Sequence, residues 1–323
     1  MHTKMDSEAV LEKSMEWDMN KNLFESGSAA VKRSARSSGG RYAWCAASIM
    51  RWRRFCNFCE NLDVKSIADI DYEIVALYAE SISSCSISTR HNYISVINVV
   101  MRILKSHWVP VSPRRLAGEK RSFVNSNPVI IDRRLVHKIA SQLTESNHPL
   151  LASVVNLGFY FGLRRREAAL LELKNALHEA EQFGWIDIVR GTKGGRGRSV
   201  QRRVPVDEHQ LAILKGMCEF LGERRCLVPE DQTYKKFSDY ISSELLPVLK
   251  ANGVSRLHNL RAAYACNRYQ KISGFVAPRN QSDPLLLASS CADTHAREII
   301  TGELGHGRIE IVSSYVGRKV RKK

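Results

Sequence analysis

The chain has 323 residues, too many for one small domain and enough for two. Hydrophobic residues make up 44% of it, so a packed core is expected, while 49 Lys and Arg against 33 Asp and Glu leave a formal charge of +16. That excess points to a polyanionic partner, nucleic acid first. The sequence also excludes a membrane-spanning helix, since no run approaches 18 uninterrupted apolar residues, and it shows no basic-then-apolar signal pattern.

The charge is unevenly placed. Residues 1–26 hold three Lys and six acids, a net −3 that leaves +19 for the rest. Val10, Leu11, Met15, Met19 and Leu23 recur near helical spacing there, so a helical arm, a partner contact, self-association and a frayed end all stay open. Residues 27–40 are rich in Ser, Gly and Ala and read as a flexible cationic linker; with the arm they form a segment 1–40. From Arg41 to Trp108 the pattern is helical. Tyr42, Ile49, Trp52, Phe55 and Phe58 mark one apolar face, and Val75, Leu77 and Tyr78 a second helix. Ile94, Ile97, Val100, Met101 and Leu104 mark a third, with Ser86-Ile87-Ser88-Thr89 as its start signal. Pro110, Pro113 and Pro128 among basic residues suggest an inter-domain linker over 109–128.

A larger domain, 129–323, follows. It opens with helical patterns at 132–143, 149–161 and 165–173. A β-rich stretch comes next, with strands expected over Trp185–Val189 and Ser199–Val206 around a Gly-rich turn suited to a hairpin. Helical patterns resume at 207–221, 234–250 and 258–272. The expected fold class is mainly α: an all-helical N-terminal domain and a mainly helical C-terminal domain with a small antiparallel sheet. The eight Cys are scattered, as in a reduced cytosolic protein. Cys56 and Cys59 are the one close pair. Without a second pair to complete a zinc site, and within a predicted helix, they read as buried small hydrophobes, so no metal is expected.

Four short segments of the second domain carry chemistry: Gly162-Leu163-Arg164-Arg165-Arg166-Glu167, Thr192-Lys193-Gly194-Gly195-Arg196-Gly197-Arg198, His258-Asn259-Leu260-Arg261, and Leu304-Gly305-His306 with Tyr315 nine positions later. Singly each is ordinary: a solvated Arg, a turn Lys, a same-face helical pair, a packing Tyr. In this order and spacing they resemble the signature of the tyrosine recombinases, or phage integrases. Ser88-Thr89-Arg90 before a helix, and the aromatic-rich first helix, resemble that family's core-binding domain, so the resemblance spans roughly residues 40–323.

The resemblance implies a site-specific recombinase acting through a 3′-phosphotyrosine. Cleaving a phosphodiester builds negative charge on the non-bridging oxygens, which Arg164 and Arg261 can meet with forked hydrogen bonds, so no cofactor or metal is required. Tyr315 is then the nucleophile, and its phenol, with a reference pKa of about 10, needs a proton acceptor. By resemblance His258 is the general acid/base, Lys193 protonates the leaving 5′ oxygen, His306 bonds the scissile phosphate, and Glu167 orients Arg164 or His258. The implied partners are double-stranded DNA with inverted-repeat core sites and three further copies in a tetramer, with an accessory DNA-binding protein left open. The implied location is the cytoplasm, at a bacterial nucleoid. By the same resemblance the two domains clamp duplex DNA, with Arg41, Arg51, Arg54, Thr89, Arg90 and Asn92 as contacts in the first, and Arg196, Arg198, Arg202 and Arg203 around the hairpin.

Three features depart from the family pattern. Forty-five positions separate Arg261 from His306, an excess around Ser273–His295 that reads as a surface loop, a partner contact or a regulatory insertion. Only eight residues follow Tyr315, fewer than the long C-terminal helix of many relatives. Ala262 stands where many relatives carry a second His. Tyr264 and Tyr269 are rival tyrosines, at the wrong distance from Leu-Gly-His. The length and N-terminal extension suit a transposon-borne cointegrate resolvase. A type IB topoisomerase or telomere resolvase, and a DNA-binding protein without catalysis, are the competing classes. The small core-binding domain and Leu-Gly-His argue against the first pair, and the full set of catalytic residues against the last.

Overall fold

A computed structural model describes residues 22–37, 42–118, 124, 127–192 and 201–318, and its contacts divide the chain into two compact units, Met1–Ser122 and Phe123–Lys323. The fold is mainly α, with one two-stranded antiparallel sheet among the described residues.

The first unit contains α1 (Leu23–Ser37), α2 (Tyr42–Glu60), α3 (Tyr72–Ser81), α4 (Ile87–Leu104) and α5 (Pro113–Ala117). Polar side chains set three of the starts: Asp71 accepts from the Ile74 N–H, Ser86 from Thr89 and Ser112 from Arg115. Trp52, Phe55, Val75, Tyr78, Ile94, Ile97, Val100 and Met101 form the core. The Phe55 and Tyr78 rings meet edge-on at 5.1 Å. Leu77, one of the residues that marked the second helix, is exposed.

Parts of two stretches expected as linkers are built into this unit. Residues 27–37 of the proposed flexible segment 27–40 are helical, as part of α1. Their small side chains serve close packing. Ser26, Gly27, Ala30 and Val31 are buried, and a Cβ on Gly27 would lie 2.0 Å from the Trp52 ring. The Trp52 indole N–H donates to the Leu23 carbonyl at 3.2 Å. Within 109–128, Val111 is held by both ends of the Asn98 amide, and α5 packs against α4. Composition alone could not separate small residues that flex from small residues that admit an indole.

The second unit contains α6 (Arg133–Glu145), α7 (Pro149–Tyr160), α8 (Arg165–Leu170), α9 (Leu173–Phe183), β1 (Trp185–Asp187), β2 (Arg203–Pro205), α10 (Glu208–Leu221), α11 (Tyr234–Tyr240), a π turn (Ile241–Leu245), α12 (Leu246–Ala251), α13 (His258–Ser273), α14 (Ser290–Glu303) and α15 (Ser313–Val316). The strands pair with Ile186 opposite Val204 and are shorter than the apolar patterning predicts. The turn that should join them lies outside the described residues from Lys193 to 200. The helix expected over 165–173 ends at Leu170, and α9 begins at Leu173, a helix the sequence reading left unassigned. The organiser is α13. It packs on α7, α14 and α15 and buries Leu260 through Cys266 without a break, as a central helix must.

Candidate active site

The site is assembled around one buried carboxylate. Glu167 lies in the first turn of α8, fully buried. It accepts from the Arg164 main chain at 2.7 Å and the Arg164 guanidinium at 2.6 Å, and pairs with Arg202 at 2.7 Å and Arg261 at 3.6 Å. Burial alone would raise its pKa. Arg202, Arg164 and Arg261 overcome this and hold it at about 2. Three guanidinium groups around one carboxylate leave a local excess of positive charge, the condition for receiving an anion.

His258 opens α13 and Arg261 lies one turn later, which gives them a common face. Arg261 is completely buried. It donates to the carbonyls of Gly162 and, at 2.6 Å, Leu304. Its Nε donates to the Tyr315 hydroxyl at 3.3 Å, and its Nη2 lies 3.5 Å from His306 Nε2. Burial, then the charges of Arg202 and Arg164, push this guanidinium down to about 10. The fork expected to face a phosphate is thus largely engaged with main-chain carbonyls. Arg164, with its side chain 24% exposed and a longer 3.4 Å bond to the Leu304 carbonyl, has the more open guanidinium.

Tyr315, on the four-residue α15, is 4% exposed. Its ring lies between two imidazoles, 5.1 Å from His258 and 5.4 Å from His306. Desolvation, then the nearby Arg261 and Arg164 charges, lower His258 to about 4 and His306 to about 3, although His258 keeps part of its surface open to solvent. Both imidazoles are therefore neutral near pH 7 and can accept a proton. The rival tyrosines are committed elsewhere: Tyr264 donates to Glu303 at 2.7 Å and Tyr269 to Asp293 at 2.7 Å.

Of the predicted catalytic set, Arg164, Glu167, His258, Arg261, His306 and Tyr315 converge, and Lys193 lies outside the described residues. So do Arg41, Arg196 and Arg198 of the predicted DNA contacts. Arg54 is exposed and donates to the Tyr93 hydroxyl at 3.2 Å. Arg51, Thr89 and Asn92 are half-buried, with the Thr89 hydroxyl 2.9 Å from that of Ser86. Two placements correct the sequence reading. Arg90 turns inward and donates to the carbonyls of Leu116 and Ala117, both at 3.2 Å, fastening α5. Arg202 is buried between Glu167 and the Glu303 carbonyl, to which its Nε donates at 2.8 Å, whereas neighbouring Arg203 stays exposed over the Trp185 ring. Both were expected, by the family resemblance, to contact DNA.

The sequence reading also missed Glu303, which receives Tyr264 and Arg268, and Arg297, which pairs with Asp293 at 2.9 Å. Arg297, Ile300 and Leu304 recur at helical spacing, so a charge on an apolar face was the available signal. Cys56 and Cys59 are buried on α2, and burial raises their thiols. Among the described residues no group of three or more His, Cys, Asp or Glu is placed to hold a metal ion.

Residues 120–267 match the family model described as integrase. The structure of a lambda integrase tetramer bound to a Holliday junction is similar at a TM-score of 0.57 and 15% identity, covering 96% of this chain and 83% of that one. The Tn1549 transposon integrase, in complex with a circular intermediate DNA, is similar at a TM-score of 0.55 and 11% identity, covering 90% and 95%. Among curated protein sequences none matches. At these identities the structural likeness speaks for the fold, and the sequence match, over less than half of the chain, is a likeness to integrases within the second unit and its approach.

Proposed function

We propose that this chain cuts and rejoins DNA at specific sites, with Tyr315 attacking the scissile phosphorus to form a 3′-phosphotyrosine. The observation that carries the reading is the Tyr315 hydroxyl, 3.3 Å from Arg261 Nε with its ring flanked by two neutral imidazoles. His258, neutral above about pH 4, accepts the phenol proton as the oxygen–phosphorus bond forms. Arg164 and His306 meet the charge that builds on the non-bridging oxygens, and the buried Arg261 adds its positive charge beside them. Electrostatic stabilisers of this type are each worth roughly 3–4 kcal/mol. The bond to the 5′ oxygen breaks, and Lys193 supplies its proton. The phosphoester energy is kept in the adduct, so a 5′ hydroxyl can reverse the step without a nucleotide cofactor.

The substrate in this reading is duplex DNA with inverted-repeat core sites, bound by four copies. Support for the assembly comes by analogy from the tetramer in the lambda integrase structure. Among the described residues no helix is long and apolar enough to cross a membrane. The test is trapping on a suicide duplex nicked near the cleavage point. The wild-type chain yields a covalent protein–DNA adduct whose linked peptide contains Tyr315, and Tyr315→Phe yields none. An undiminished adduct from Tyr315→Phe, or a linkage mapped to another residue, overturns the proposal.

A further inference from the structure

The extra segment between Arg261 and His306 has a defined place against the nucleophile. A four-residue helix such as α15 cannot hold itself, because its carbonyls lack intrahelical partners and must find donors elsewhere. Three successive carbonyls here do so. That of Tyr315 accepts from Arg279 Nη1 at 3.2 Å and from the Cys266 thiol at 3.6 Å. That of Val316 accepts the Arg279 main-chain N–H at 2.8 Å. That of Gly317 accepts from Arg297 Nη2 at 3.0 Å, while Arg297 Nη1 reaches the Ser313 hydroxyl at 3.1 Å.

Arg279 is the joint of this arrangement. It is buried, and its Nε donates to the Asn127 carbonyl, where the chain enters the second unit. Asn280 repeats the link, accepting from the Val129 N–H at 2.8 Å and donating to its carbonyl at 3.1 Å. The contact with the nucleophile helix is also tight. Gly317 has φ +82°, and a Cβ on it would lie 2.7 Å from the Arg279 nitrogen. A buried arginine whose two ends grip two remote carbonyls, 36 residues ahead and 152 behind, fixes their separation.

We infer that Arg279 is a positioning residue for Tyr315: from the inserted segment it sets the main chain of the nucleophile and ties it to the entry segment at Asn127. The inference rests on Tyr315 being the nucleophile. Arg279 touches no reacting atom in this scheme. It acts by keeping the phenol within attack distance, where a displacement of about 1 Å can lower a rate on the order of 100-fold.

The experiment compares Arg279→Met, Arg279→Lys, Gly317→Ala and Tyr315→Phe in the full-length chain. It measures suicide-substrate adduct rate, DNA affinity, melting temperature, and hydrogen exchange of the peptide holding residues 313–317. Arg279→Met should form adduct roughly 10- to 100-fold more slowly, at unchanged DNA affinity, with faster exchange in that peptide. Arg279→Lys, keeping a donor but not the fork, should recover part of the rate. Gly317→Ala opens the same contact from the other side and should also slow adduct formation, which covers the case in which Arg279→Met fails to fold. If Tyr315→Phe is inert while Arg279→Met and Gly317→Ala cleave at the wild-type rate, this inference alone is overturned. If Tyr315→Phe still forms adduct, the nucleophile assignment itself is overturned.

Discussion

The two units use charge in opposite ways. Among the described residues, every buried charged side chain lies in the second unit: Glu167, Arg202, Arg261, Arg279, Arg297 and Glu303. Among the described residues of the first unit, the buried residues with polar side chains outside its aromatic core are Ser26, Ser28 and Ser48. Its charged residues on α1 and α2 are at the surface apart from the half-buried Arg51, with Arg53 and Arg54 lying over the Phe24 and Tyr93 rings. Burying an ion is expensive unless it is paired, so a chain that buries six in one unit has a use for their fixed orientation. The first unit keeps its charge at the surface, and the second holds its charge in a fixed geometry.

The largest expected effect tests that geometry. Arg261→Met leaves the Gly162 and Leu304 carbonyls without their donor and removes one of the three cations around Glu167. It should destabilise the second unit by about 3–5 kcal/mol, the cost of breaking a buried charge network, and abolish adduct formation. Arg54→Ala, on an exposed first-unit arginine, should stay within about 0.5 kcal/mol of wild type in the same melts. Equal melting of the two variants would end the contrast.

Trp52→Ala attacks the first unit where it is strongest. The cavity should cost about 3–5 kcal/mol and loosen α1, whose Gly27 face lies against the indole, so specific DNA affinity falls while the second unit's melting is kept. Differential scanning calorimetry resolving two transitions checks this, and a single shared transition would break the two-unit picture.

A smaller effect is expected of Arg90→Ala. Loss of a charged donor to Leu116 and Ala117 should lower first-unit stability by about 1.5–3 kcal/mol. Weakened DNA binding at unchanged stability would instead make Arg90 a phosphate contact.

The gentlest probe is pH. His258 and His306 titrate near 4 and 3 when folded, below the unfolded value of about 6.5. The unfolded chain therefore takes up protons first, and second-unit stability should fall as pH drops from about 6.5 toward those values. Glu167, at about 2 when folded, adds a further loss below about 4.5, as the unfolded carboxylate protonates before the native one. The first unit, which buries no charged group among its described residues, is the internal control. A second-unit melting temperature flat between pH 7 and pH 4 would count against the neutral, arginine-flanked imidazoles.

The sequence by itself determined the mainly helical class, most helix spans, the aromatic core of the first unit and six of the residues that meet at the site. Those signals are local: caps, apolar periodicity, and short motifs in a fixed order. Only the tertiary structure decided which arginines stay at the surface and which serve as internal framework. Arg202 lies near a basic hairpin in sequence, yet its bond to the Glu303 carbonyl spans 101 positions. Arg279 sits in what reads as a surface insertion, yet it grips carbonyls 36 and 152 residues away. A guanidinium carries the same charge in either setting. What separates the two roles is the set of acceptors brought to it, and those arrive only when distant segments pack.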